Sequence, residues 1–229
     1  MVAVVAMRHS GHMTSVAIFG GHGKVALVLA KMLAAAGHDV RSIFRNEDHA
    51  DEVSATGATP VVLDLERADV SAMTEALDGV EAIVWTAGAG GGSEERTYAV
   101  DRDAAIRSID AAVSAGVTRY VLVSYFGAGP NHGVPQGNSF FAYAEAKAAA
   151  DEYLKGTGLD WTVLGPSGLT DDDPMSRIEI NDGSLTGGSV TRADVAAVAA
   201  GVLGLTAASG RTIEFNNGPT PIGEALDAL

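Results

Sequence analysis

Tyr143 and Lys147 stand four residues apart in the run Phe140-Phe-Ala-Tyr143-Ala-Glu-Ala-Lys147-Ala-Ala-Ala150. Alanine-rich sequence of this kind is strongly helix-forming, and positions i and i+4 of a helix share a face. A lysine ammonium placed there lowers the pKa of the neighbouring phenol and can hold a ribose. The phenol can then exchange a proton with a carbonyl or an alcohol while hydride moves. Ser124 closes the apolar run Tyr120-Val-Leu-Val-Ser124. A hydroxyl at the carboxyl end of a parallel strand faces the ligand crevice and can orient a substrate carbonyl, or it can simply serve a turn. Ser124, Tyr143 and Lys147 are therefore the candidate catalytic residues.

A second chemistry is written between residues 15 and 45. The apolar run Ser15-Val-Ala-Ile-Phe19 enters Gly20-Gly21-His22-Gly23-Lys24-Val25-Ala26, and a helical pattern follows. Two glycine spacings overlap: Gly21-x-Gly23-x-x-Ala26 and Gly20-x-x-Gly23-x-x-Ala26. Either one lets backbone amides approach a dinucleotide pyrophosphate at a helix amino end, with Ala26 allowing close helix–strand packing. Gly20, Gly21, His22, Gly23, Lys24 and Val25 are the candidate phosphate cradle. The second strand then ends Phe44-Arg45-Asn46. A base at that point accommodates the 2′-phosphate of NADP, whereas an acid binds the ribose hydroxyls of NAD. Arg45 thus favours NADP, with NAD left open because Glu47 and Asp48 follow at once. Asp64, after the third apolar run, can accept from the adenine amino group or can equally cap a turn, and Leu65 beside it is counted with the cofactor residues. Thr86, Ala87 and Gly88, at the end of the fourth, are placed where a cofactor ribose passes, and Lys147 is placed on a ribose as well.

These residues need a frame, and the rest of the chain supplies one. Apolar runs at 15–20, 39–44, 59–63, 80–86, 119–124 and 160–164 alternate with helical patterns at 23–36, 47–56, 69–77, 95–115 and 140–156. Alternation of continuous apolar runs with helices implies an α/β, Rossmann-type doubly wound parallel sheet covered on both faces. Gly37, Gly116 and Gly158 read as left-handed stops after the helices before them. Beyond 164 the pattern loosens, with a strand near 177–181, a helix near 192–204, a strand near 211–215 and a helix at 221–228. A small irregular substrate lobe is expected mainly from 125–139 and 165–191. Residues 14–229 read as a single domain, and residues 1–13 as a leader or cloning remnant with Met13 a candidate start. The apolar part of that segment, about six residues, is too short for a membrane span.

Bulk properties narrow the partners. The 229 residues carry 15 basic and 29 acidic side chains, a net charge of -14. Such a surface repels nucleic acid and anionic lipid, so a small-molecule substrate is expected, with no nucleic acid and no membrane. There are no cysteines, which excludes disulfides and thiolate chemistry and fits a cytoplasmic protein. Asp171-Asp172-Asp173 reads as solvated loop carboxylates, and no metal is assigned. Thr191-x-x-Asp194 reads as a capping box, Trp85 and Trp161 as core, and His132 as an exposed loop residue. The helix at 95–115 either covers the sheet or forms a dimer face, leaving monomer and homodimer open.

Taken jointly, Gly20-Gly-His-Gly-Lys-Val-Ala26, Ala115-Gly-Val-Thr-Arg-Tyr-Val-Leu-Val-Ser124, Tyr143-Ala-Glu-Ala-Lys147, Gly158-Leu-Asp-Trp-Thr-Val-Leu164 and Thr191-Arg-Ala-Asp-Val-Ala196 resemble the atypical short-chain dehydrogenase/reductases. The likeness is to the small NAD(P)H-binding proteins related to flavin and biliverdin reductases, and it spans nearly all of residues 14–229. It implies a Rossmann domain with NAD(P) bound, Pro166 at the cofactor, and redox or epimerase chemistry at Ser124, Tyr143 and Lys147. Two departures stand out. Gly165-Pro166-Ser167 replaces the Arg-Pro-Gly frequent in such proteins, and Tyr125 follows Ser124 where a small residue is common. The leading expectation is an NAD(P)-dependent oxidoreductase, NADP favoured, acting on a small carbonyl, quinone or flavin-like substrate. The alternatives are a non-catalytic NADP(H)-sensing regulator and a sugar-nucleotide epimerase. An epimerase usually needs a larger lobe than the about 65 residues after the sixth run.

Overall fold

The continuous apolar runs become the buried strands of one sheet. In the computed structural model, which describes residues 14–91 and 93–229, they are β1 (Ser15–Phe19), β2 (Asp39–Phe44), β3 (Thr59–Val62), β4 (Ala82–Trp85), β5 (Arg119–Val123) and β6 (Asp160–Pro166). The reading of residues 1–13 lies outside the described residues. Further strands follow: β7 (Gly168–Thr170), β8 (Arg177–Ile180), β9 (Ser189–Thr191), β10 (Arg211–Asn217) and β11 (Thr220–Pro221). The main sheet has the order β11-β8-β10-β6-β5-β4-β1-β2-β3. From β3 to β10 every pairing is parallel, and β8 and β11 add an antiparallel edge. The strand order reverses between β1 and β4, so the ligand crevice of a doubly wound sheet opens at their carboxyl ends.

Alternate side chains of β1 serve opposite faces. Val16 and Ile18 pack with Leu29 and Leu33 of α1 (Lys24–Ala35) and with Val195, Val198 and Val202 of α7 (Arg192–Leu203). Ala17 and Phe19 pack with Met73 and Leu77, at and just past the end of α3 (Val70–Ala76), Ile109 of α5 (Ala105–Ala115) and Leu154 of α6 (Phe141–Lys155). Both layers are dry, which explains why the strands carry no polar alternation. The short α2 (Ala50–Ser54) follows a single 3-10 turn at Glu47–His49. Gly37 and Gly116 take φ of 89° and 74°, the left-handed stops expected of them. Gly158 does not: its φ is not positive, and α6 instead ends at Gly156 in right-handed geometry.

Other expectations change in detail. The pattern at 95–115 is not one α-helix. It runs as α4 (Glu94–Thr97), a π-helical stretch at Tyr98–Ala104 and then α5. The Thr191 hydroxyl accepts from the Asp194 amide at 3.0 Å, but Asp194 does not complete the box. Its carboxylate accepts from the amides of Met175 and Ser176 and from the Asn217 side chain, and so ties the late loop to α7. His132 is not exposed. Its imidazole is 5% accessible, bonded to Glu145 and set edge-on to Phe141 of α6. Asp171 is not merely solvated, since it pairs with both Lys24 and Arg192. Trp85 is fully buried, while Trp161 is partly buried at the edge of the core. The irregular segment forms a two-stranded sheet of β7 and β9. Among the described residues no helix is long and apolar enough to cross a membrane.

Candidate functional site

The glycine turn is shaped by two contacts. Gly20 has φ 80°, and a Cβ there would lie 2.6 Å from the Cα of Ala87. A Cβ on Gly21 would lie 2.6 Å from that of Ser42. Both amides donate to the Ile43 carbonyl, at 3.0 and 2.8 Å, so these two glycines fix the turn rather than presenting their N–H groups to a ligand. The open donors lie one step later. Gly23 is the N-cap of α1 and makes no side-chain cap bond, which leaves the first-turn amides of Lys24, Val25 and Ala26 without a protein partner from a cap. That is a fitting cradle for a diphosphate.

A cleft of about 330 Å³ opens beside this turn. Its lining comes from the glycine turn at Gly20, His22 and Gly23, from Phe44, Arg45, Asn46 and His49 at and after the end of β2, from Asp64, Leu65 and Glu66 after β3, from Thr86, Ala87 and Gly88 after β4, and from Arg96 and Val100. Of the residues expected to hold cofactor, Gly21, Lys24, Val25, Lys147 and Pro166 do not line it. Gly21 is turned toward β2, and the Lys24 ammonium is engaged by Asp171 at 2.5 Å. Asp64 is partly occupied in its own turn, accepting from the Glu66 amide at 3.1 Å. Arg45 donates to Glu66 at 2.9 Å, and Arg96, on the same carboxylate at 2.8 Å, also donates to the Ala89 carbonyl. Two guanidinium groups thus share one carboxylate in the cleft lining. His22 and His49 stack at 3.6 Å, and with Glu52 they bring ligand atoms within 4.8 Å of one another. The His22–Glu52 bond of 2.7 Å already satisfies two members of that group.

The three candidate catalytic residues lie past Gly88. Ser124 follows the end of β5 as expected, with its hydroxyl donating to Asp151 Oδ2 at 2.7 Å. Pro166 sits on the adjacent strand and accepts from the Phe126 amide. Lys147 is buried, donates to the Val123 carbonyl at 3.0 Å and lies 3.6 Å from Asp101 Oδ1. Its ammonium is 5.8 Å from the centre of the Tyr143 ring. Asp101 comes from the π-helical stretch, is fully buried, and accepts from the Ala89 amide at 2.9 Å. A Cβ on Gly88 would come within 3.0 Å of it. Asp101 therefore connects the wall of the nucleotide cleft to the lysine. Tyr143, Tyr125 and Phe140 pack as three rings with centroids 5.1–5.6 Å apart.

Charge and burial compete at Lys147, Tyr143 and Asp151. Burial would lower Lys147, but Tyr143, Asp101 and Asp151 outweigh it and hold the ammonium above its ordinary value. Burial raises the Tyr143 phenol, and Lys147 only partly offsets this; the expectation of a net depression by lysine is thus corrected. Asp151 is pushed up to about 6 by burial, against the opposing pull of the Ser124 hydrogen bond, Lys147 and Lys155. Because its folded value exceeds its ordinary one, Asp151 favours the folded chain fully below about pH 4. That contribution is lost as pH rises through about 6. Asp151→Asn is accordingly expected to raise Tm near ~pH 8 and to leave it unchanged near ~pH 4 in thermal unfolding.

Sequence reasoning missed Asp101, Asp151, Asn46, His49, Glu66 and Arg96. For Asp151 a signal existed: Tyr143, Lys147 and Asp151 are spaced i, i+4, i+8 along one face of α6.

Comparison with known proteins places the family and the fold. The NAD(P)H-binding family profile matches residues 20–204. The uncharacterized sugar epimerase YhfK of Bacillus subtilis is 32% identical over 194 residues, covering 84% of this chain and 88% of the relative. A Bacillus halodurans structure named for NAD-dependent epimerase/dehydratase chemistry superposes with a TM-score of 0.87 at 31% identity, covering 94% of this chain and all of that one. The anaerobilin reductase ChuY of Escherichia coli O157:H7 gives a TM-score of 0.75 at 25% identity, covering 90% of this chain and 100% of that one.

Proposed function

Since the chain belongs to the NAD(P)H-binding family, we propose that it is an NADP(H)-dependent oxidoreductase passing hydride between nicotinamide and a planar carbonyl, quinone or flavin-like substrate. The observation that carries this reading is the buried Lys147, held by Val123 and Asp101 on the same helix face as Tyr143 and beside Ser124. A fixed ammonium next to a phenol at the crevice is suited to proton exchange at a reacting oxygen. When bound, the nicotinamide supplies the hydride. Tyr143 delivers or takes the proton, Lys147 holds the phenol's surroundings cationic and reaches toward a ribose, and Ser124 orients the carbonyl. The aromatic group of Tyr125, Phe140 and Tyr143 offers stacking faces to a flat conjugated substrate.

Cofactor choice rests on Arg45 and Arg96 around Glu66. A 2′-phosphate would take over the charge that Glu66 now neutralises. Arg45→Ala is expected to weaken NADPH binding by about 10- to 100-fold, the worth of a charge-assisted hydrogen bond, while leaving NADH binding within about threefold. Fluorescence titration with both coenzymes checks this, and equal losses for the two would reject the assignment.

The activity itself is tested by following NADPH oxidation with menadione, riboflavin and small aldehydes as acceptors. Tight NADPH binding without turnover on any of them would favour a cofactor-sensing protein instead. A sugar-epimerase role is favoured by the name of one relative, and an epimerase/dehydratase role by the name of a similar structure. It predicts bound coenzyme that survives purification and conversion of nucleotide sugars without net oxidation.

A further inference from the structure

Asp151 is costly and unexplained by packing. Its carboxyl is 1% exposed, Oδ2 accepts the Ser124 hydroxyl at 2.7 Å, and Oδ1 has no hydrogen-bond partner among the described residues. A buried carboxylate with one oxygen unpaired is an unfavourable arrangement that an alanine-rich helix could avoid with any small apolar residue. Protonation removes the buried charge, the larger part of that cost, although Oδ1 stays unpaired. The question is what its proton does to Ser124.

A serine hydroxyl has one hydrogen to give. When Asp151 is ionised it accepts that hydrogen, and Ser124 turns lone pairs toward the site, where they oppose a substrate oxygen. When Asp151 is protonated it can donate to Oγ instead, and the serine hydrogen is free to point at the reacting oxygen. Carbonyl reduction and alcohol oxidation share one transition state, in which that oxygen bears negative charge and needs a donor. The same state of Asp151 therefore serves both directions.

We propose that Asp151 is a positioning residue acting as a protonation gate, whose proton frees the Ser124 hydroxyl to donate to the substrate oxygen. The proposal rests on the oxidoreductase reading and adds a regulation to its site. The surroundings leave the gate within reach of ordinary pH. On its own helix Lys147 and Lys155 draw the proton off while Glu152 retains it, and burial outweighs them to hold the group near 6. Tyr143 on α6 and Tyr125 beside β5 feel the same charge, and Asp101 lies across Lys147 from the π-helical stretch.

The test uses the full chain saturated with NADPH and a small aldehyde as acceptor, whose reacting oxygen needs a donor. Single-turnover hydride transfer is followed from about pH 5 to about pH 9 for wild type, Asp151→Asn and Ser124→Ala. The wild-type rate is expected to fall about tenfold per pH unit above the Asp151 titration. In Asp151→Asn the amide can donate to Ser124 at every pH, so this limb should vanish and the alkaline rate should exceed that of wild type. Ser124→Ala should be slow and should also lack the limb. An alkaline limb unchanged in Asp151→Asn overturns the proposal, because a purely structural aspartate would give that result. An infrared arm needs no turnover: a protonated-carboxyl band should grow in as pH falls, vanish in Asp151→Asn and shift in Ser124→Ala. If no acceptor is reduced by any variant, the reaction assignment falls. The infrared arm then decides the Ser124–Asp151 switch alone, and a band absent or insensitive to Ser124→Ala rejects it.

Discussion

Lys147→Met is expected to destabilise the protein by about 3–5 kcal/mol, the usual consequence of removing one member of a buried ion pair. For a domain of this size that is a fall in Tm of roughly 10 °C or more. The reasoning starts from Asp101. It is fully buried, and among the described residues its Oδ1 has no hydrogen bond and only the Lys147 ammonium, at 3.6 Å, as a counter-charge. Methionine matches the lysine stem closely enough to avoid a large cavity, so the loss is electrostatic. The Val123 carbonyl also loses its donor. A secondary sign identifies the cause. Asp151, whose carboxyl Lys147 now pulls downward, should titrate higher in the variant. An Asp151 titration left unmoved by the substitution would mean that the packing of the stem, and not its charge, holds this corner.

The parts of this fold that were legible in the sequence are those governed by local rules. Strands such as Ala82–Trp85 are buried on both faces and therefore read as unbroken apolar runs. Gly37 and Gly116 stop helices because only glycine takes positive φ cheaply. What stayed hidden depends on partners distant in sequence. Asp101 in Tyr98-Ala-Val-Asp-Arg looks like the polar side of a surface helix. The wider π-helical turn changes the angular step per residue and carries it to zero exposure, against Ala89 and Lys147. Arg119 looks like a strand-edge charge. In fact it reaches across the sheet to the carbonyls of Val202 and Leu203 and closes the end of α7, where Gly204 does not adopt the left-handed stop. Glu66 and Arg96 could not be tied to Arg45 from spacing, because the turn after β3 meets α4 only in the folded chain. The turn glycines were read for the right shape but the wrong donors. The Ile43 carbonyl that captures two of the amides belongs to the neighbouring strand.

Tyr143→Phe is expected to lower hydride transfer to a carbonyl substrate by about 10²- to 10⁴-fold, the range for loss of a positioned proton donor, while NADPH affinity stays within about twofold. The substitution removes one oxygen and keeps the ring that packs against Tyr125 and Phe140, so the change in stability should stay within about 1 kcal/mol. The direction of the phenol's shift sharpens the expectation. Burial raises it, Lys147 lowers it, and Asp101 and Asp151 raise it again. A phenol held above its ordinary value is protonated at neutral pH, which equips Tyr143 as an acid for reduction rather than as a tyrosinate base for oxidation. The wild-type enzyme should accordingly reduce a carbonyl faster than it oxidises the matching alcohol at neutral pH, and Tyr143→Phe should abolish that reduction. An acceptor that takes hydride without needing a proton from the protein behaves otherwise. A flavin or quinone can be reduced first and protonated by solvent afterwards, so Tyr143→Phe would leave its rate nearly intact. The ratio of the two effects therefore reports the substrate class: a large loss on aldehydes with none on riboflavin would place the natural acceptor among conjugated ring systems, stacked on the aromatic rings rather than held by its oxygen.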